Sequence, residues 1–172
     1  MSFANRKASS DQFEKAVIDR LRCNGWYAER FGQCLLPEMM RDIMKCYHDD
    51  YGNPTLLRWL PDIYAGHFTA QGRAFCCLID VKTCASKTEN YAVELSAVEA
   101  VGKLCDVFHM PSYFVFDDWG ILTAREIEQR GRPGSPHNSG SGTPYCLVAR
   151  TFSHPFDQMF PRSYLNEGKH DG

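Results

Sequence analysis

Six consecutive apolar residues, Ala74-Phe75-Cys76-Cys77-Leu78-Ile79, run directly into Asp80-Val81-Lys82. An apolar run of this length suits a strand buried on both faces, so the chain is expected to build a sheet around it. A carboxylate placed at the end of such a run is costly unless it meets a partner. Strand alternation puts Asp80 and Lys82 on the same face. Pro61-Asp62 ends an earlier apolar segment and delivers a second carboxylate to a strand end. Two carboxylates and a lysine gathered there can hold a hard divalent cation through oxygen and set a positive donor beside it. Metal-assisted hydrolysis of a phosphodiester needs that set of groups. The plain alternatives are a salt bridge between Asp80 and Lys82, and a turn acid after proline at Asp62.

The flanking segments supply the rest of a fold. Asp11-Gln12-Phe13-Glu14 reads as a capping box opening a helix whose stripe is Phe13, Val17 and Leu21, ended by Asn24-Gly25. Residues 1–10 are expected to be a flexible N-terminus. Strands are expected at 26–31, 56–63, 74–81, 113–116 and 145–152, the last as a closing strand. Helices are expected at 37–47 and, with Val93, Ala97, Val101, Leu104 and Phe108 in one stripe, at 91–108. Thr123-Ala124-Arg125-Glu126 is a second capping box. Residues 131–143 read as a flexible loop within a single domain at 11–152, and 153–172 as an irregular tail. Glu14 falls inside the apolar stripe of the first helix, where a carboxylate needs a cation or a metal; satisfying a free backbone donor as part of the cap is the competing role.

Composition sets limits on partners. A net charge of −2 argues against an indiscriminate grip on phosphate. Residues 1–60 hold nine Lys and Arg against eight acids, and residues 61–130 hold six against ten. Contact with nucleic acid is therefore expected to be local. Eight cysteines include no Cys-x-x-Cys pair, which favours reduced, structural thiols over a zinc cluster. No apolar stretch is long enough to cross a membrane, and residues 1–10 lack a signal-like apolar segment, so a cytoplasmic or intracellular protein, not a secreted one, is expected.

The pattern Pro61-Asp62 … Asp80-Val81-Lys82, in the order helix, strand, strand, strand, helix, strand, resembles the PD-(D/E)xK nuclease superfamily. That resemblance implies an α/β, restriction-endonuclease-like fold, a central mixed β-sheet flanked by helices (αβββαβ core). It implies a DNA nuclease dependent on Mg2+ or Mn2+, with Glu14, Asp62, Asp80 and Lys82 catalytic. Asp62, Asp80 and the backbone carbonyl of Val81 would be the metal ligands, and Glu14 a further one, directly or through water. The small size is similar to that of Holliday junction resolvases, which implies branched DNA as substrate, a homodimer, and a place in DNA recombination and repair. An exonuclease similar to phage recombination nucleases is the alternative, as is a catalytically silent nucleic-acid-binding or scaffold protein of the same fold. Thr83 and Lys87 could touch phosphate, as could Arg20, Arg22 and Arg30. Glu94 stands where several relatives carry Gln or another polar residue.

Overall fold

The apolar run becomes the centre of the sheet. In the computed structural model, which describes residues 3–69, 71–84, 88–134 and 144–162, β3 (Ala74–Lys82) lies between two other strands. On one side it pairs antiparallel with β2 (Ile63–Phe68), joined through a short loop in which the Thr69 N–H donates to the Arg73 carbonyl. On the other it pairs parallel with β5 (Ser112–Phe116). Parallel neighbours require a crossover, and α3 (Leu95–Phe108) supplies it. β1 (Tyr27–Arg30) extends the sheet beyond β2; β6 (Gly120–Thr123) and β9 (His154–Pro155) extend it beyond β5. The result is a six-stranded mixed sheet ordered β1-β2-β3-β5-β6-β9, flanked by helices.

α1 (Phe3–Cys23) covers one face. Its Val17, Ile18 and Leu21 pack against Ala28, Ile63, Ala65, Cys77 and Ile79, all buried. Helix termination follows the Asn24-Gly25 signal: Gly25 takes φ 81°, and the Trp26 N–H donates back to the Leu21 carbonyl. The start differs from the expected one. Residues from Phe3 onward are already helical, so Asp11 sits inside the helix rather than at its start, and residues 3–10 belong to α1. The polar character of the first ten residues left no apolar stripe by which to read this helix extension.

The opposite face over β3 and β5 is covered by α3, by α4 (Ala124–Arg130) and by a three-stranded antiparallel sheet. That sheet is ordered β4-β8-β7, from β4 (Asn90–Glu94), β7 (Arg132–Gly134) and β8 (Tyr145–Ala149). Two expectations are corrected here. Residues 90–94 form a strand, and the helix begins at Leu95, because Tyr91 and Val93 are buried at a spacing of two. β8 belongs to the small sheet, ends at Ala149 and gives way to a 3-10 turn, so it does not close the main sheet. The expected loop at 131–143 contributes β7 at its start; residues 135–143 lie outside the described part. α4 opens with the reciprocal Thr123–Glu126 capping box read from sequence.

The insert between β1 and β2 carries α2 (Glu38–Cys46). The expected strand at 56–63 is instead a 3-10 turn at Leu56–Trp59 followed by β2, started by Thr55 accepting from the Leu57 N–H. The tail is not irregular throughout. After β9, α5 (Phe156–Met159) and Phe160 return to the α1 side of the core, where Phe156 and Phe160 are buried. Asn24 and Trp26 hold them by donating to the Phe160 and Pro161 carbonyls at 2.8 and 3.0 Å. Residues 163–172 lie outside the described part.

Candidate active site

The pairing register sets two of the acids against each other. Ile63 lies opposite Ile79, so Asp62, one residue before β2, lies opposite Asp80 near the end of β3. The backbone is pinned there from both sides. The Phe31 N–H donates to the Asp62 carbonyl at 2.7 Å, and the Val81 N–H donates to Asp62 Oδ2 at 2.8 Å. Gly32 makes the close approach feasible: at φ 77°, a Cβ there would stand 2.5 Å from the Pro61 carbonyl oxygen.

Lys82 Nζ stands 2.6 Å from Asp80 Oδ2 and 5.8 Å from the centre of the Phe114 ring. Burial alone would lower the lysine's pKa; Asp80, then Asp62 and Glu94, outweigh it and hold it above its usual value. Burial, with the Asp80 charge next in importance, pushes Asp62 up to about 7. Burial and the neighbouring Asp80 charge together disfavour the ionised Asp62, and Lys82 offsets them only in part. Asp80 Oδ2 is also buried without a well-directed hydrogen bond, despite its close ammonium. Both features fit a cation held between the two acids. Among the described residues no three His, Cys, Asp or Glu side chains stand together as a metal-binding group, so the fit rests on these two carboxylates and backbone oxygen.

Glu14 faces the core as its place in the stripe requires, and is 6% exposed. It is engaged by Arg30, whose Nε lies 2.8 Å from Oε1, while burial holds its pKa raised. Its charge acts on Asp62 more weakly than burial, Asp80, Lys82 or the Val81 N–H does, so it is the outlying member of the set. The other arginines considered for phosphate are occupied. Arg20 pairs with Asp157 at 2.6 Å and lies over the Trp119 ring, and Arg22 pairs with Glu29 at 2.6 Å. Thr83 follows directly on the site strand, and Lys87 lies outside the described residues. His67 packs against Trp26 with ring centres 4.1 Å apart. Glu94 is the residue before α3 rather than part of it, which lets its charge act on Lys82.

Two neighbours escaped sequence reasoning. Asp117 reads as a turn acid, yet its N–H donates to the Lys82 carbonyl at 3.1 Å and its Oδ2 accepts from the Cys84 N–H at 3.0 Å. It thereby fixes the chain leaving the site. Cys34 follows Gly32 closely, and after burial the charges of Glu14 and Asp62 hold its thiol's pKa up. Only the pairing of β3 with β5 reveals the first, and only the turn over Pro61 the second.

The αβββαβ core and the mixed sheet are those of the restriction-endonuclease-like fold. No protein-family model matches the chain, and no curated protein does. Among solved structures, the chain is similar to Hjc, a Holliday junction resolvase from Archaeoglobus fulgidus, with a TM-score of 0.55 and 14% identity over 91% of this chain and 98% of that one. It is less similar to D212, a nuclease from a fusselovirus, with a TM-score of 0.48 and 11% identity over 93% of this chain and 91% of that one.

Proposed function

We propose that the protein is a divalent-metal-dependent DNA nuclease, of the structure-specific endonuclease kind that resolves Holliday junctions. One observation carries the reading: Asp62 opposite Asp80 across β2 and β3, with Lys82 2.6 Å from Asp80 and the Asp62 pKa pushed up to about 7. The fold likeness to an archaeal junction resolvase supports the choice of substrate.

Asp62, Asp80 and the Val81 carbonyl would hold Mg2+ or Mn2+, with Glu14 assisting through water. When bound, the cation supplies an acidified water and a counter-charge for the phosphate. The protein's own groups do the rest. Asp62 gives up its proton as the site fills, which makes loading pH-dependent. Lys82, held protonated by three acids, is a poor proton acceptor; its role is to donate to a non-bridging phosphate oxygen as charge builds there. Phe114 and the Asp80 carboxylate restrict where its ammonium can go.

An exonuclease of phage recombination type uses the same groups and differs in how the DNA end is held. A silent scaffold is disfavoured because Asp62, Asp80 and Lys82 are all retained and brought together. A homodimer would place two such sites on the two arms of a junction. The test is a cleavage panel with Mg2+ on four-way, flap, single-stranded and linear duplex DNA. Preferential symmetric nicking of the four-way junction is expected. Processive release of mononucleotides from linear ends would assign the exonuclease instead.

A further inference from the structure

One half of a sheet face lies bare directly beside the acids. Alternation and register put Tyr27, then Tyr64, Gly66 and Phe68, then Ala74, Cys76 and Asp80 on one face of β1, β2 and β3. Over β3 and β5 that face is covered, with Phe114 and Phe116 buried under α3 and the small sheet. Over β1 and β2 the rings of Tyr27, Tyr64 and Phe68 remain 67%, 39% and 56% exposed. Between them lies a recess of about 270 Å3 with an almost wholly apolar lining. Gly66 is its floor: a Cβ there would stand 2.9 Å from the Phe75 carbonyl oxygen and 3.2 Å from Cys76 Sγ, so nothing larger fits without displacing the neighbours. The Tyr64 hydroxyl donates to Cys76 Sγ at 3.0 Å, which fixes its ring at the rim.

We infer that this recess seats an unpaired nucleobase next to the scissile phosphate, so that the substrate class is DNA exposing an unstacked base at the cleavage point. The inference rests on the nuclease reading for the position of the phosphate, and on the recess itself for the base. Three arguments select this occupant. Tyr64 is two residues from Asp62 along β2, about 7 Å, close to the length of one extended nucleotide. Bare aromatic rings with few polar groups around them suit the faces of any base and read no particular edge. The acid at the rim, Glu29, is neutralised by Arg22 at 2.6 Å, which leaves no unpaired carboxylate of its own to repel the strand.

The test uses the full chain with Ca2+ in place of Mg2+ and an oligonucleotide duplex carrying one 2-aminopurine, either unpaired in a bulge or paired. Binding is expected to quench the unpaired probe and leave the paired probe unchanged. Tyr64→Ala should abolish the quenching and weaken binding of the bulged duplex about tenfold, the size of one lost stacking contact. Tyr64→Phe should retain both, and Phe68→Ala, farther from the acids, should reproduce the loss in part. Equal affinity and unaltered quenching in Tyr64→Ala would overturn the inference. So would a Tyr64→Ala variant that turns a dimer into a monomer while binding both probes alike, because the face would then join two copies of the chain. Cleavage measured in parallel with Mg2+ separates the two claims. Cleavage without quenching in the wild type overturns the base seat alone; quenching without cleavage of any DNA overturns the nuclease reading and upholds the seat.

Discussion

Asp62 is the residue on which the proposed chemistry turns, and its raised pKa has a measurable sign. Its carboxyl moves from 3.8 to about 7 on folding, so the native state holds a proton that the unfolded chain releases in that range. Its contribution to stability is therefore full below about pH 3.8 and is lost as pH rises through about 7. Metal-free protein should show a urea midpoint that falls between pH 5 and pH 8, and Asp62→Asn should flatten that fall. An unchanged slope in the variant would place the titration elsewhere. Calorimetric titration with Mn2+ at pH 8 should show binding that Asp80→Ala weakens at least tenfold, and equal affinity in the variant would remove Asp80 from the metal site. Asp80 and Lys82 were legible because an acid after six apolar residues demands a partner. Asp117 was not, because its importance arises from β5 lying parallel to β3, a contact over thirty residues of chain.

At the scale of elements, periodicity succeeded where one spacing dominated and failed where two overlapped. β3 and the Thr123 capping box match their sequence signals closely. Val93 fits both the helical stripe and, with Tyr91, a strand alternation, and burial of Tyr91 against Phe116, whose ring stacks 3.7 Å from its own, decides for the strand. α5 carried no usable signal: its four residues are ordered by tertiary contacts alone, with Phe156 and Phe160 filling the core under α1. Phe160→Ala should therefore cost about 3–5 kcal/mol, read by denaturant unfolding. A loss under about 1 kcal/mol would make the C-terminal segment an ornament. Thr123→Ala removes an acceptor for the Glu126 N–H, and should cost about 1 kcal/mol in the same assay.

For the whole molecule, the sequence order of core elements was readable because turn signals such as Asn24-Gly25 separate segments of distinct apolar spacing. The small sheet was not, because β4 pairs with β8 across a stretch of chain that includes α3 and α4. The net charge is −2, and Arg20, Arg22 and Arg30 are all engaged by acids, so those three arginines are not free to hold phosphate. Binding to DNA should weaken only modestly with added salt, with a log–log slope of about −2 to −3. A slope near −8 would reveal a far wider grip on phosphate than a chain of net charge −2 is expected to make. The central claim is that Asp62, Asp80 and Lys82 make a metal-dependent phosphodiester hydrolysis site. Its most direct test is the single-turnover cleavage rate of a labelled four-way DNA junction by wild type and Lys82→Ala. Wild type should cleave with Mg2+ and not with EDTA, and Lys82→Ala should be slower by on the order of 100-fold or more while melting as a folded protein. Equal rates in the two proteins, or wild-type cleavage undiminished in EDTA, would contradict it.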